Sequence, residues 1–337
     1  MNVRSSGCTP LASVSDYFCP QITSKPSPVY QCSGTSVIGL DVSLNTSAYW
    51  SLDPGVTMIG SISTYLGMLK DLTFLSFQGA HVMGSIPAMI GSLTKLQFAD
   101  LSSNALTGTI PSNIGSCRAL TSLSIASNKI KGPIPSKLVS LTALETLDIS
   151  SNAISGPLPS LLGNLRMLDD FNVSFNLLSG PLPSSFYSLG LLEMFDATDN
   201  RLNGSVSSAI SNLINLESII LMDNHFTGPF PPQITALVNL TQLDFEENHF
   251  TGSIPPEIGD LTRLVDFVLN DNMMVGPIPP SVYQLKQLEY LELQANSFTG
   301  TISVDVGKLT ELRELLLNHN NFYGNEMSHK RVPITLC

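Results

Sequence analysis

The chain has 337 residues and carries 27 acidic against 16 basic side chains, which gives a formal net charge of −11. Nucleic acids and anionic membrane surfaces need basic patches, so this charge excludes both as predicted partners. No apolar run is long enough to span a bilayer, and no basic stretch followed by an apolar one resembles a signal sequence.

Residues 1–36 are rich in Ser, Pro, Thr and Cys and show no periodicity, which predicts an irregular N-terminal cap. Cys8, Cys19 and Cys32 cluster there, and one disulfide among them would cover the first coil of the fold. The sequence leaves their pairing open. Residues 37–45 match a short strand, and residues 46–57 are an insertion loop whose Trp50 we expect to cover that coil.

From residue 58 onward the chain repeats itself every 24 residues, and the register does not slip. The repeat is marked by ten asparagines, at Asn104, Asn128, Asn152, Asn176, Asn200, Asn224, Asn248, Asn272, Asn296 and Asn320. A fixed period of this kind predicts a solenoid of stacked coils, because one coil cannot bury its own apolar edge.

One coil can be interpreted from the unit around Asn152. Leu147 and Ile149 alternate with polar residues, as in a short strand with one buried face. Asn152 follows that strand, where its amide can pair with backbone groups of a turn, so we assign these asparagines a structural role. Gly156 suits a positive-φ turn, and the prolines beyond it favour a second short strand over a long helix. The pattern ends near Gly324, which leaves residues 325–337 as a basic tail.

Two residue types indicate the compartment. Cys117 replaces a core leucine and is predicted to be a buried free thiol, while Cys337 ends the chain. Export is favoured by the cysteine cluster and by four N-x-S/T sequons. These predict glycosylation at Asn45, Asn172, Asn203 and Asn239. The predicted location is therefore extracellular or at the cell surface.

The repeat resembles the plant-type leucine-rich repeat, whose pattern NxLxGxIPxxLGxLxxLxxLxLxx is matched almost position for position by LTGTIPSNIGSCRALTSLSIASN. The segment YQCSGTSVIGLDVS is similar to the Cys-containing cap of such proteins. The resemblance implies an α/β leucine-rich-repeat solenoid, wound as a right-handed superhelix, with a concave parallel sheet of about twelve strands and ligands on that sheet. Similar proteins include ectodomains of receptor-like kinases and receptor-like proteins, and secreted inhibitors of polygalacturonases.

Residues that vary between repeats are the candidates for binding, because the repeated ones are occupied with folding. On the sheet, the outward positions are six, four and two places before each asparagine, and they hold acids but no Lys or Arg. Apolar side chains accompany the acids, among them Val268 and Leu316. The predicted ligand-binding residues are Phe98, Asp100, Asp148, Met194, Asp196, Ile220, Met222, Asp244, Glu246, Asp266, Tyr290 and Glu292.

Three interpretations of these acids remain open: solvated side chains that keep the sheet soluble, a groove for a basic ligand, and a divalent-cation site. The function we expect is a non-enzymatic module that binds a protein or peptide of basic character, with a possible co-receptor and no cofactor. It would belong to a receptor-like ectodomain or a secreted recognition protein. The alternatives are the sensor of a receptor kinase and an inhibitor of a cell-wall hydrolase.

His225 and His249 occupy equivalent places in adjacent coils and are interpreted as copies of one unit rather than as metal ligands.

Overall fold

In the computed structural model, the described backbone comprises residues 29–33, 36–41 and 60–324, with side chains described from residue 60 onward. It divides into two compact units, residues 1–168 and residues 169–337. The predicted insertion loop with Trp50, Asn45, and the cysteines Cys8, Cys19 and Cys337 lie outside the described residues.

Each described coil of the first unit begins with a short parallel strand, which we call its first strand. A strand at Val29–Ser33 pairs antiparallel with the earliest of these. The first strands of this unit are Ser36–Asp41, Phe74–Ser76, Phe98–Asp100, Ser122–Ser124 and Thr146–Asp148. They pair in chain order without crossovers, so each coil lies beside the next one in sequence.

The second unit repeats this arrangement with seven parallel first strands in its described part. They are Asp170–Asn172, Met194–Asp196, Ser218–Ile220, Gln242–Asp244, Asp266–Val268, Tyr290–Glu292 and Glu314–Leu316. The register advances by one repeat at each step, as when Leu243 pairs with Phe267 and Phe267 with Leu291. The two units together contain twelve parallel first strands among the described residues, as the sequence predicted.

A second strand follows nine of the ten repeat asparagines in the described residues, again as predicted, and two more second strands precede Asn104. In the first unit the second strands are Gly60–Ser61, Val82–Ser85, Ala105–Thr107, Lys131–Gly132 and Ala153–Gly156. In the second unit they are Leu177–Gly180, Arg201–Gly204, His225–Pro229, His249–Thr251, Val275–Pro277 and Ser297–Thr299. Gly156 ends one of them at φ +84°, a left-handed conformation that glycine adopts without steric cost.

A short 3-10 helix completes each coil. In the first unit these helices are Thr64–Met68, Ala88–Ser92, Ser112–Ser116, Ser136–Ser140 and Leu162–Asn164. In the second they are Ser184–Ser188, Ser208–Asn212, Pro232–Ala236, Pro256–Asp260, Pro280–Gln284 and Val304–Lys308. Many begin directly after a proline in extended backbone, such as Pro111 at φ −67°, whose missing N–H leaves no donor to satisfy. The described residues contain no helix long and apolar enough to cross a membrane.

The core of each unit is a column of aliphatic and phenylalanine side chains, to which each coil adds residues at equivalent positions. Leu144, Leu147 and Ile149 are all at most 1% exposed, as the pattern predicted. Cys117 lies in this column as a buried free thiol, and its Sγ donates to the Ile90 carbonyl at 3.3 Å. Burial raises the pKa of this thiol to about 11, so it is an inert core residue rather than a nucleophile.

The repeat asparagines join neighbouring coils through their side chains. Asn128 Oδ1 accepts from the Leu106 N–H at 2.9 Å, in the preceding coil. Its Nδ2 donates to the Leu101 carbonyl of that coil and to two carbonyls of its own, at Ile125 and Ala126. Asn248 repeats these contacts in the second unit, with the same pattern of partners. This ladder adds to the backbone hydrogen bonds that continue between coils beyond the first strands, such as that from the Asn128 N–H to the Ser151 carbonyl at 3.1 Å.

Candidate functional site

The candidate site is the row of outward side chains on the first strands, which we call the strand face. It consists of the residues six, four and two places before each repeat asparagine. Because the first strands pair in register, equivalent side chains of neighbouring coils lie about 4.8 Å apart. The face therefore brings residues 24 positions apart in sequence into direct proximity.

Four predicted acids of this face have a second role that the sequence did not reveal. One carboxylate oxygen of each accepts a hydrogen bond from the backbone N–H two residues later, at 2.9–3.0 Å. The pairs are Asp100 with Ser102, Asp148 with Ser150, Asp196 with Thr198 and Asp244 with Glu246. Asn172 makes the same contact with Ser174 in its own coil. The position thus favours Asp and Asn for turn formation, whether or not a ligand binds.

In the second unit the central row of the face alternates between acids and apolar residues. Register pairing places Asp196, Ile220, Asp244, Val268 and Glu292 side by side in this order. The acids of alternate coils are consequently about 9.6 Å apart, twice the strand spacing. Val268 lies in this row, but it is only 8% exposed and offers a ligand little surface. The short side chain of Val268 lies in register between the longer side chains of Asp244 and Glu292.

Asp244 is the acid whose ionisation the surroundings change most. Burial raises the pKa of Asp244 to about 6, and the charges of Glu246, Glu292 and Asp196 add to the rise against the opposing hydrogen bond from the Glu246 N–H. Burial also raises the pKa of Glu292, where a side-chain hydrogen bond from Gln294 opposes the shift. Carboxylates held so close together interact favourably with any cation that reaches them.

The other predicted residues all lie on this face with part of their surface accessible. Asp266 has a raised pKa because of burial and the nearby Glu289. Met194 is the most open of them, at 42% exposure. Half-exposed positions are occupied by Ile220, Met222 and Tyr290. In the first unit, Phe98 stacks on Phe74 with ring centroids 4.7 Å apart and planes 4° apart.

Basic side chains lie ahead of the first strands, outside the strand face, and several of them are paired. Lys95 Nζ is 2.6 Å from Asp71, and Arg263 is 3.7 Å from Glu217 and donates to Asn239 at 3.0 Å. Arg313 is 3.0 Å from Glu289. These exposed ion pairs contribute little stability each, about 0–1 kcal/mol. They do keep positive charge at the edge, so the face itself is negative.

The remaining predicted features have ordinary surroundings. His225 and His249 stack with ring centroids 6.2 Å apart, as equivalent positions in adjacent coils would. The described residues contain no group of three or more His, Cys, Asp or Glu side chains arranged to hold a metal ion. Of the sequon asparagines, Asn203 is exposed, whereas Asn172 and Asn239 use their side-chain oxygens in hydrogen bonds.

Sequence reasoning missed a row of residues in left-handed backbone at the end of each first strand. The residue directly before each repeat asparagine has φ between +48° and +57°, including Asp199, Asp223, Glu247 and Asp271. Asp and Asn tolerate this conformation, whereas Ala295 and Phe175 adopt it without that advantage. The acids in this row project beside the strand face, and their frequency has a conformational cause.

Comparisons with known proteins agree with this geometry. A family model described as a leucine-rich repeat region matches residues 164–333, which is half of the chain. A model of the single leucine-rich repeat matches residues 95–117 and 143–165. A search of curated proteins found no match.

Three solved structures illustrate the likeness. The plant peptide hormone receptor RGFR1, in complex with RGF2, is 31% identical over 78% of this chain and 42% of its own, with a TM-score of 0.76. The TDR receptor is 30% identical over 85% of this chain and 48% of its own, with a TM-score of 0.78. A plant ice-binding protein is 25% identical over 91% of this chain and 86% of its own, with a TM-score of 0.62. The chain spans less than half the length of the two receptors.

Proposed function

Because the chain belongs to the leucine-rich-repeat family, we propose that it is a non-enzymatic, extracellular recognition module that binds a basic peptide on the strand face of its second unit. The observation that carries the proposal is the central row in which Asp196, Asp244 and Glu292 alternate with Ile220 and Val268. No Lys or Arg occupies any strand-face position, so nothing on the face neutralises these acids. The likeness to a receptor solved with a peptide hormone supports the same class of ligand.

The spacing of the row indicates a conformation for the peptide. A polyproline II segment rises 3.1 Å per residue and has three residues per turn, so every third side chain recurs after about 9.3 Å. This distance is close to the 9.6 Å or so between acids of alternate coils. A peptide with basic residues at every third position would place one of them over each acid. Its intervening residues would meet Ile220 and the side chains around Val268.

The proposal is tested by selecting peptides from a random display library on the purified chain. Synthetic versions with basic residues three apart are then compared with isomers in which they are adjacent. We expect saturable binding that weakens with added salt, and tighter binding of the three-apart peptides. Absence of any saturable peptide would contradict the proposed function itself.

A pair of variants localises the binding. A variant in which lysine replaces Asp196, Asp244 and Glu292 together should lose capture of the selected peptides. The matched control changes Glu257, Asp260 and Glu311 to lysine, three exposed acids of the same unit that lie outside the strand face. This control alters the net charge equally, so loss of binding in both variants would show that only overall charge matters.

Ice binding is a second candidate, because the ice-binding plant protein is matched over 86% of its own length. An ice surface is periodic, and the side chains of the strand face differ from coil to coil, which favours peptide recognition. Measurement of thermal hysteresis in a purified sample separates the two functions. A receptor-like role, the sensor role in a receptor kinase and inhibition of a cell-wall hydrolase are all compatible with the proposed binding on the strand face.

A further inference from the structure

Five polar side chains of the second unit form what we call the acceptor cluster: Glu246, Asn270, Asp271, Glu292 and Gln294. Glu246, Asn270 and Gln294 occupy the same position in three consecutive coils, two places before the repeat asparagine. The backbones of these coils are joined there, since the Glu247 N–H donates to the Asn270 carbonyl at 3.1 Å. The cluster continues the row of acids on the strand face.

The amide of Asn270 has an unpaired oxygen in a buried position. The residue is 1% exposed, and its Nδ2 donates to Glu246 Oε1 at 2.6 Å and to Asp271 Oδ2 at 2.9 Å. Both partners are carboxylates, so the nitrogen must face them and the oxygen must point elsewhere. That oxygen, Oδ1, has no hydrogen-bond partner. A buried acceptor without a donor is unfavourable and rare in folded proteins.

Gln294, in the next coil, holds a second such oxygen. Its Oε1 is buried and has no partner. The side chain of Gln294 lies near Glu292, since it lowers the pKa of that carboxyl against the rise caused by burial. Two neighbouring coils thus each contribute a buried amide oxygen without a donor.

Other coils show that a residue two places before the repeat asparagine need not leave an unpaired acceptor. Ser150 and Thr198 stand at the same place, and their hydroxyls donate at 2.7 Å to Asp148 and Asp196 respectively. In the coil of Asn270 the corresponding partner position is occupied by Val268, which offers no polar group. The unpaired acceptors are therefore specific to this part of the strand face.

We propose that the acceptor cluster anchors one arginine side chain of the peptide ligand, an inference that rests on the proposed function. The cluster has a surplus of acceptors: three carboxylates and two amide oxygens, with the Asn270 donors already used. A guanidinium supplies five N–H donors and no acceptor, together with a positive charge. It can therefore satisfy both amide oxygens and neutralise Glu246 or Glu292 at the same time.

Arginine fits this cluster better than the other donors. Lysine offers its three donors from one point, whereas the planar guanidinium reaches acceptors on adjacent strands. Both amide oxygens are covered in the structure, so the proposed binding requires the half-buried Gln294 side chain to turn aside when the guanidinium enters.

The inference is tested with three small probes that differ only at the end of the side chain. They are N-acetyl-arginine amide, N-acetyl-lysine amide and N-acetyl-citrulline amide, the last a neutral near-isostere of arginine. Titration followed by NMR should show saturable, millimolar binding of the arginine probe. The lysine and citrulline probes should bind at least about tenfold more weakly.

Variants of the chain assign the binding to the cluster. Asn270→Leu should weaken the arginine probe at least about tenfold while leaving Tm unchanged or raised, because it removes a buried unpaired oxygen. Gln294→Met provides the same test at a half-exposed position should Asn270→Leu fail to fold. Glu257→Gln, which removes one exposed carboxylate of the same unit, is the control and should bind the probe as the unaltered chain does.

Equal binding of the arginine and lysine probes, or unchanged binding by both cluster variants, would overturn the arginine anchor. Either result leaves the proposed function standing if selected peptides still bind and still depend on Asp196, Asp244 and Glu292. Selected peptides that bind without arginine would likewise contradict the anchor alone. Failure to obtain any binding peptide would contradict the proposed function instead.

Discussion

The strand faces of the two units differ in the number of acids they carry. Among the described side chains of the first unit the outward acids are Asp100 and Asp148, and each is paired to the turn that follows it. In the second unit, seven acids occupy equivalent positions, namely Asp170, Asp196, Asp244, Glu246, Asp266, Glu292 and Glu314. The coils beneath both faces are built by the same leucines and asparagines. Recognition can therefore change from one stretch of coils to another while the fold is retained.

The largest expected effect tests whether the two units share one structural mechanism. Asn248→Ala and Asn128→Ala each remove four hydrogen bonds and leave buried backbone groups unpaired. Each should lower the free energy of unfolding by about 3–5 kcal/mol, measured by urea denaturation with separate probes for each unit. Asn164→Ala, at an exposed asparagine in a 3-10 helix, should stay within about 0.5 kcal/mol. A cost below about 1 kcal/mol in either unit would contradict a shared ladder.

The next effect concerns binding and should differ between the units. Reversing Asp196 and Asp244 to lysine should weaken a selected basic peptide on the order of 100-fold, or about 2.7 kcal/mol. Reversing Asp100 and Asp148 removes the same kind of turn contact and the same charge, yet should weaken binding less than about threefold. Both constants can be measured by calorimetry in one buffer. Equal losses would mean that binding does not distinguish the two faces.

A smaller effect concerns the pH dependence of stability at Asp244. In the native state its pKa is raised to about 6, so the folded chain holds this proton more tightly than the unfolded chain does. Its contribution to stability is therefore complete below pH 4 or so, and is lost as pH rises through about 6. Asp244→Asn should remove that loss and stabilise the chain near pH 7.5 by about 2 kcal/mol.

Asn172 shows that asparagine can keep the turn hydrogen bond at this position. Asp148→Asn is the matched change in the first unit, where the register neighbour is Ser124 and the expected gain is smaller. Peptide binding should also weaken between pH 7.5 and pH 5, because Asp244 becomes neutral. Stability and binding profiles that are identical for Asp244→Asn and the unaltered chain would contradict this account.

The smallest effect arises from the left-handed residues at the strand ends. Ala295→Gly should stabilise the chain by about 1 kcal/mol, because Ala295 adopts φ +50° at a steric cost that glycine does not have. Asp223→Gly, at φ +51°, should gain less, since aspartate tolerates this conformation. Thermal unfolding of the two variants measures the difference. A larger gain at Asp223 would show that its surroundings, not its backbone, decide stability there.

Sequence periodicity predicted most of the fold, because the spacing of Leu147, Ile149 and Asn152 specifies burial and turn position directly. It also placed Asp196 and Asp244 on one row. It did not predict the 3-10 helices or the left-handed residues, which depend on backbone geometry rather than on side-chain pattern. It did not predict that Val268, which lies in that row, is only 8% exposed, since a pattern carries no information on how neighbouring side chains cover a residue. The sequence pattern also did not predict the unpaired Oδ1 of Asn270, because that depends on how the side-chain amides of Asn270 and Gln294 are oriented.

The asparagine ladder has a consequence for how such a chain changes length. The Asn248 side chain donates to carbonyls of its own coil and of the coil before it, and it accepts from an amide of the coil before it. The partners of Asn128 lie at the same sequence separations. Each coil therefore presents an identical set of partners to whichever coil follows it. Excision or duplication of a 24-residue segment would rejoin equivalent partners, so unequal recombination within the gene can produce shorter or longer arrays that still fold.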